Sequence, residues 1–312
     1  MKHSSNSNMN RYRVKFINPE LKFMIRRFTT FPIMQATSYI TYLTSFLLPK
    51  AVTCLDRPIF IIGCSRSGTT IFLDMLKEHG ELSEWSEAGG VFEPNYFDPE
   101  VNHFKDEASV TKFHTRRIQM LFGLFVSVNK GSRFLNKHPQ NSLRIGFLRK
   151  IFPNAKFIHL VRSGYATTYS NCRQVELDKY RQSIPFGGFP KPLEWKKLLH
   201  LPRLLQFGHQ WVDVIPHIRS TIANYGIEDD YIEIKYEDFC QDPHNILRKV
   251  DIFCDLDPNK RKYDQIPKEF HMQNDSWKEK ISQDDFSLLF DICNSLNSDL
   301  GYLEFKKDKE VV

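Results

Sequence analysis

Pro58-Ile59-Phe60-Ile61-Ile62-Gly63-Cys64-Ser65-Arg66-Ser67-Gly68-Thr69-Thr70 is the stretch whose reading decides the fold. A short apolar strand, Ile59–Ile62, runs into a loop bounded by two glycines, and the loop runs into a helix that starts at Thr69. Four residues separate Gly63 from Gly68, the spacing of a loop that wraps a phosphate in backbone amides. Amides at a helix N-terminus lack an internal partner, and the helix dipole adds partial positive charge there. Gly63 and Gly68 admit an anion close to the backbone. Ser65, Ser67, Thr69 and Thr70 offer hydroxyls, and Arg66 adds a full charge. A nucleoside triphosphatase needs a lysine directly after the second glycine. Thr69 stands there, so the loop reads as a phosphate site that does not split a triphosphate.

Outward from this loop, strand and helix patterns alternate. The expected fold is α/β, a three-layer arrangement with a parallel β-sheet flanked by helices, of the P-loop-containing nucleotide-binding type. Phe72, Met75, Leu76 and His79 share one face of the first helix, which Gly80 ends. Residues 81–108 read as one long irregular loop, a length that marks function inside a compact domain. A helix is predicted over 109–129, a short strand from Arg133 stopped by Pro139, a basic helix over 141–151, and a strand at Lys156–Val161. A helix follows over 164–178. Prolines and glycines around Phe186 and Phe189 make 181–192 a lid or substrate loop. The rest reads as a helical stretch over 193–224 broken at Pro202 and Pro216, a strand at Tyr231–Tyr236, and helices over 243–254 and 284–296. No repeat or linker divides the chain. The expected organisation is an N-terminal tail and amphipathic helix (1–56), one domain (57–305) and a charged tail (306–312).

The bulk composition narrows the function. The chain has 312 residues, 41% of them hydrophobic, with Lys+Arg 43 against Asp+Glu 37. That balance suits an anionic ligand and is too weak to indicate nucleic acid. The 26 phenylalanines lack interleaved Lys/Arg runs and read as core. Six cysteines show no zinc spacing, so no metal site is expected, and a reducing compartment is the simpler reading. A Cys240–Cys254 disulfide stays open. Residues 31–48 are the candidate membrane segment, preceded by Lys15, Lys22, Arg26 and Arg27. Gln35, Thr37, Ser38, Thr41, Thr44 and Ser45 interrupt the apolar run. The segment therefore reads as an amphipathic helix packed on the domain or lying on a membrane surface. Residues 1–10 read as a disordered tail, and no cleavable signal peptide is evident.

Gly63-x-x-Arg66-Ser67-Gly68-Thr69-Thr70 resembles the 5′-phosphosulfate loop of sulfotransferases that use 3′-phosphoadenosine-5′-phosphosulfate (PAPS). Arginine before Ser-Gly-Thr-Thr is similar to the tyrosylprotein sulfotransferases and bacterial relatives. The segment from Phe152 through Arg162 to Ser170 resembles the family's 3′-phosphate motif, a strand ending in arginine with a serine eight residues later on the next helix. Geometry makes that pair sensible, because parallel sheets bind ligands at the carboxyl ends of their strands. An arginine fork and a hydroxyl could share one terminal phosphate. Asn136-Lys137-His138-Pro139 resembles the family's Lys-x-Pro, whose lysine reaches the sulfuryl group. Lys235-Tyr236-Glu237-Asp238-Phe239 resembles its Tyr-Glu-Asp-Leu strand end. Tyr236 is then expected on the nucleotide, with Glu237 and Asp238 capping the next helix. Leu300-Gly301-Tyr302 resembles a closing motif of the same branch.

The resemblance implies a sulfotransferase that moves the sulfuryl group from PAPS to a hydroxyl acceptor: a protein tyrosine, a glycan, a lipid or a small alcohol. Ser65, Arg66, Ser67, Gly68, Thr69, Thr70, Arg162, Ser170 and Tyr236 would hold the donor. Lys137 and Arg66 would stabilise developing charge. Sulfuryl transfer also needs a base for the acceptor proton. Relatives place a glutamate after the first helix, which points to Glu87 among Glu81, Glu84, Glu87 and Glu93, with Glu84 as the alternative. His103 and His114 are the candidates under the logic of the soluble branch, and His159, inside a strand, reads as a buried residue. Two rival functions stay open, a P-loop kinase or NTPase and a non-catalytic nucleotide-binding protein. The expected location is cytoplasmic with peripheral membrane contact. The alternative is a Golgi lumenal enzyme anchored by residues 31–48.

Overall fold

The computed structural model describes residues 31–47, 55–94, 98–129, 131–272, 274–275 and 277–302. The proposed tails at 1–10 and 306–312 lie outside the described residues. Among the described residues there are five strands: β1 (Ile59–Gly63), β2 (Leu82–Glu84), β3 (Arg133–Lys137), β4 (Lys156–Val161) and β5 (Tyr231–Lys235). They form one sheet in the order β2-β3-β1-β4-β5, and every pairing is parallel. The main helices are α1 (Phe31–Thr44), α2 (Thr69–Leu76), α3 (Lys112–Val128), α4 (Ile145–Ile151), α5 (Gly164–Glu176), α6 (Arg203–Tyr225), α7 (Tyr236–Gln241), α8 (Pro243–Phe253) and α9 (Gln283–Asp299).

Side chains alternate across the sheet, as the strand period of two requires. Phe60 and Ile62 of β1 face a core layer with Phe134 and Phe157, covered by α3, α4, α6 and α9. Ile59 and Ile61 face the opposite layer with Leu135, Ile158 and Leu160, covered by α2, α7 and α8. Phenylalanines dominate the first layer: the rings of Phe122 and Phe134 stack at 4.2 Å and those of Phe60 and Phe157 at 5.9 Å. Each buried ring contributes roughly 1.5–3 kcal/mol. The three-layer reading of the sequence therefore holds.

Three local expectations change. The 81–108 stretch is not wholly irregular, because β2 lies inside it as a three-residue edge strand paired with β3. Three residues are too few to show a period. Pro216 does not break the helix: α6 runs through it, with Trp211, Val214, Ile215, Ile218 and Ile222 all buried. Packing of that face outweighs the one backbone hydrogen bond that proline removes. Cys240 and Cys254 are buried free thiols, so the open disulfide is not formed.

A buried ion pair fastens α2 behind the loop that follows β1. Arg261 Nε donates to Asp251 Oδ2 at 2.6 Å, and its Nη1 donates to the Met75 carbonyl at 2.8 Å. Both partners of the pair are fully buried. Arg261→Met leaves the Asp251 charge without its counter-ion, and chemical denaturation is expected to show a loss of about 3–5 kcal/mol. A change below about 1 kcal/mol would show that the pair contributes little.

Candidate active site

The loop after β1 is closed from within. The backbone N–H and Oγ of Ser67 both donate to the Cys64 carbonyl, at 3.2 and 2.8 Å. Ser67 therefore braces the turn, and its hydroxyl is directed away from solvent. Ser65 Oγ donates to Asn171 Oδ1 at 2.9 Å, while Asn171 Nδ2 donates back to the Ser65 carbonyl at 3.3 Å. This pair clamps the loop to α5. Gly68 has φ 89°, and a Cβ there would lie 2.2 Å from the Tyr236 ring. Only glycine meets both conditions. Arg66 has φ 69°, a conformation rare outside glycine. Its side chain projects outward, and Nε donates to Ser170 Oγ at 3.1 Å.

Arg162, directly after β4, joins the second stretch to the first. Its Nη1 donates to the Arg66 carbonyl at 2.9 Å and its Nε to Asn274 Oδ1 at 2.8 Å. The guanidinium stacks 4.6 Å over the Tyr236 ring. Burial lowers the Arg162 pKa below its ordinary value and Arg66 adds to that effect, while Tyr236 and Glu237 oppose it. Trp211 Nε1 holds the Arg162 carbonyl at 3.1 Å from the far side. Glu237 is not a helix cap: it accepts from Asn274 Nδ2 and from the Tyr302 hydroxyl, fastening the C-terminal segment to the site. Asp238 does not cap either. Asp242 caps α8, accepting from the Asn245 amide at 3.0 Å.

Lys137 ends β3 beside β1, and its Nζ donates to Glu87 Oε1 at 2.7 Å. The Glu87 amide donates to the Lys137 carbonyl at 2.9 Å. Glu87 has φ 52° and a side chain 66% exposed, so its carboxylate stands open to solvent. Backbone held in such a conformation is concentrated at functional sites. The other glutamates are engaged elsewhere: Glu81 pairs with Lys260, Glu93 pairs with Lys105, and Glu84 ends β2 at the sheet edge. His114 belongs to the N-terminal capping box of α3. His103 is buried, with Nδ1 accepting from the Lys191 amide at 3.0 Å. Burial, then Lys191, Arg144 and His138, drive its pKa well below the ordinary value. His159 is buried against the Tyr231 hydroxyl at 2.7 Å.

One cavity of about 800 Å³ collects these groups at the carboxyl end of the sheet. Ser65, Arg66, Gly68, Thr69, Thr70, Glu87, Lys137, Arg162, Ser170 and Tyr236 line it, and Ser67 does not. Sequence reasoning missed Arg173, Arg181, His271 and Lys280 on its wall. Arg173 lies one helical turn beyond Ser170, a spacing that could have found it. His271 and Lys280 come from an irregular segment with no signal of its own. The lining cations outnumber the acids Asp74 and Glu87, as an anionic ligand requires.

A model of the sulfotransferase family matches residues 58–260. The chain belongs to the sulfotransferase family. It is 25% identical to the protein-tyrosine sulfotransferase of Drosophila melanogaster over 207 residues, 64% of this chain and 38% of that protein. It is 30% identical over 118 residues to the omega-hydroxy-beta-dihydromenaquinone-9 sulfotransferase Stf3 of Mycobacterium tuberculosis, 36% of this chain and 26% of that protein. The chain thus spans well under half the length of these curated relatives. Sulfotransferase STF9 from Mycobacterium avium shares the fold, with TM-score 0.53 at 14% identity, over 82% of this chain and 78% of that one.

Gly68→Ala tests the packing of the site in this sulfotransferase-family chain. The added methyl group meets the Tyr236 ring and a left-handed backbone, so a stability loss of about 1–3 kcal/mol is expected in thermal or chemical unfolding. An unchanged midpoint would mean that Tyr236 does not press on the loop.

Proposed function

We propose that this chain transfers a sulfuryl group from PAPS to a hydroxyl acceptor. The observation that carries the reading is the junction at Arg66. Its carbonyl receives Arg162 and its side chain reaches Ser170, so both phosphate-facing stretches line one cavity. A cavity of about 800 Å³ with a cationic wall suits a nucleotide phosphorylated at two positions.

The fit assigns roles. The α2 N-terminus, Thr69, Thr70 and the amides around Gly68 would face the 5′ side, with Arg162 and Ser170 on the 3′-phosphate. PAPS supplies an activated sulfuryl group on a phosphate leaving group. The acceptor oxygen bonds to sulfur as the bridging S–O bond breaks, and that electron pair leaves on the adenosine bisphosphate. Glu87 takes the acceptor proton. Lys137, already at Glu87, neutralises charge on the transferring and bridging oxygens. A kinase or NTPase reading has less support: Thr69 replaces the loop lysine, and none of the five strands ends in aspartate.

For the acceptor, a second cavity of about 260 Å³ shares Arg181 with the first. Asp98, Pro99 and His103 line it opposite residues 178–191. Its position supports the 181–192 loop as part of the acceptor site. The two curated relatives are named for a protein-tyrosine and for a menaquinone alcohol, which supports a hydroxyl and leaves both peptide and lipid acceptors in play.

Glu87→Gln is expected to cut turnover of labelled PAPS by about 10²–10⁴-fold. Calorimetric affinity for adenosine 3′,5′-bisphosphate should stay at the parent value, and Glu84→Gln should leave turnover nearly unchanged. Full activity in Glu87→Gln would remove it as the base.

A further inference from the structure

The helix α1 is built inside out for a water-exposed surface. Together with the 3-10 turn that continues it (Ser45–Leu47), it packs on α3 through the buried Ser38 and Ser45 and through Tyr42, whose ring lies 5.2 Å from that of Phe113; the Tyr39 ring touches Phe113 at the same distance from the exposed edge of this contact. Its aliphatic side chains point the other way: Ile33, Ile40, Leu43 and Leu47 are 61–83% exposed. An ordinary surface helix buries its aliphatic face. The threonines are also masked. Thr37, Thr41 and Thr44 donate to the carbonyls of Ile33, Thr37 and Ile40, so their hydroxyls are satisfied within the helix.

Charge specifies what covers this face. Residues 31–47 carry no charged side chain, and α3 beside them carries Lys112, Arg116 and Arg117 with no acid. Lys112 and Arg116 are exposed, and the Arg116 guanidinium lies 4.0 Å over the Phe46 ring at the end of the apolar face. The chain just before α1 adds Arg11, Arg13, Lys15, Lys22, Arg26 and Arg27 against the single acid Glu20. An exposed aliphatic stripe flanked by cations matches an anionic lipid surface. Among the described residues no helix is long and apolar enough to cross a membrane.

We propose that residues 31–47 form an interfacial helix that seats the enzyme on an anionic bilayer, with Ile33, Ile40, Leu43 and Leu47 in the acyl boundary and Lys112 and Arg116 at the headgroups. The surface connects to the active site through Arg117. Its guanidinium reaches Ser38 on α1 and the Val91 carbonyl, four residues beyond Glu87.

Co-sedimentation of the full chain with phosphatidylcholine vesicles, with and without phosphatidylserine, tests this. Binding is expected with the anionic vesicles and weakened by salt. Ile40→Asp/Leu43→Asp should reduce it by at least about tenfold. Lys112→Glu/Arg116→Glu, which leaves the apolar face intact, should remove the preference for phosphatidylserine. Absent binding, or binding unchanged in both variants, would overturn the proposal. So would a parent dimer that Ile40→Asp/Leu43→Asp turns into a monomer, which would make a second copy the occupant. Retention through alkaline carbonate extraction would instead show a spanning anchor and would also overturn it. None of these readouts depends on the sulfuryl-transfer reading.

Discussion

The hydrogen bond from the Arg162 guanidinium to the Arg66 carbonyl holds the site together. It joins the end of β4 to the loop after β1, the two strand ends at the centre of the sheet. A guanidinium moved out of water is costly unless its donors are met. Here the cost is offset by Asn274, by the Arg66 carbonyl and by the Tyr236 ring. The same contacts fix where positive charge sits at the mouth of the cavity. Tyr236 is shared by the loop and the arginine, so Gly68 is required by packing as well as by backbone conformation. A fold that places the ends of five parallel strands at one rim lets residues far apart in sequence act on one ligand.

Much of this was legible in the sequence because the signals are local. The glycine spacing, the apolar run before it and the amphipathic helix after it specify the phosphate loop without reference to the rest of the chain. The strand ending at Arg162 and the helix carrying Ser170 are similarly self-contained. Glu87 was reached by its distance from Thr70, and the structure brings it to Lys137. What the sequence hid is non-local. Ser67 looks like a ligand hydroxyl in a list of loop residues, yet it spends its hydroxyl on Cys64. Asn274 carries no motif, and only the folded chain shows that it and Tyr302 meet at Glu237. Pro216 misled because propensity is a weak guide where a helix face is deeply buried.

The N-terminal helix shows the same division. Its polar interruptions argued against a span. Which face would be buried could not follow from composition, because serines pack inward here and isoleucines face outward.

The central claim is that one cavity grips both ends of a nucleotide, with Arg162 on the 3′-phosphate. The most direct measurement is the affinity ratio between adenosine 3′,5′-bisphosphate and adenosine 5′-monophosphate, taken by calorimetry in the parent chain and in Arg162→Ala. Damage to the loop would weaken both ligands together, so the ratio isolates the 3′-phosphate contact. A strong preference for the bisphosphate is expected in the parent, and a ratio near one in Arg162→Ala. An undiminished preference in the variant would contradict it.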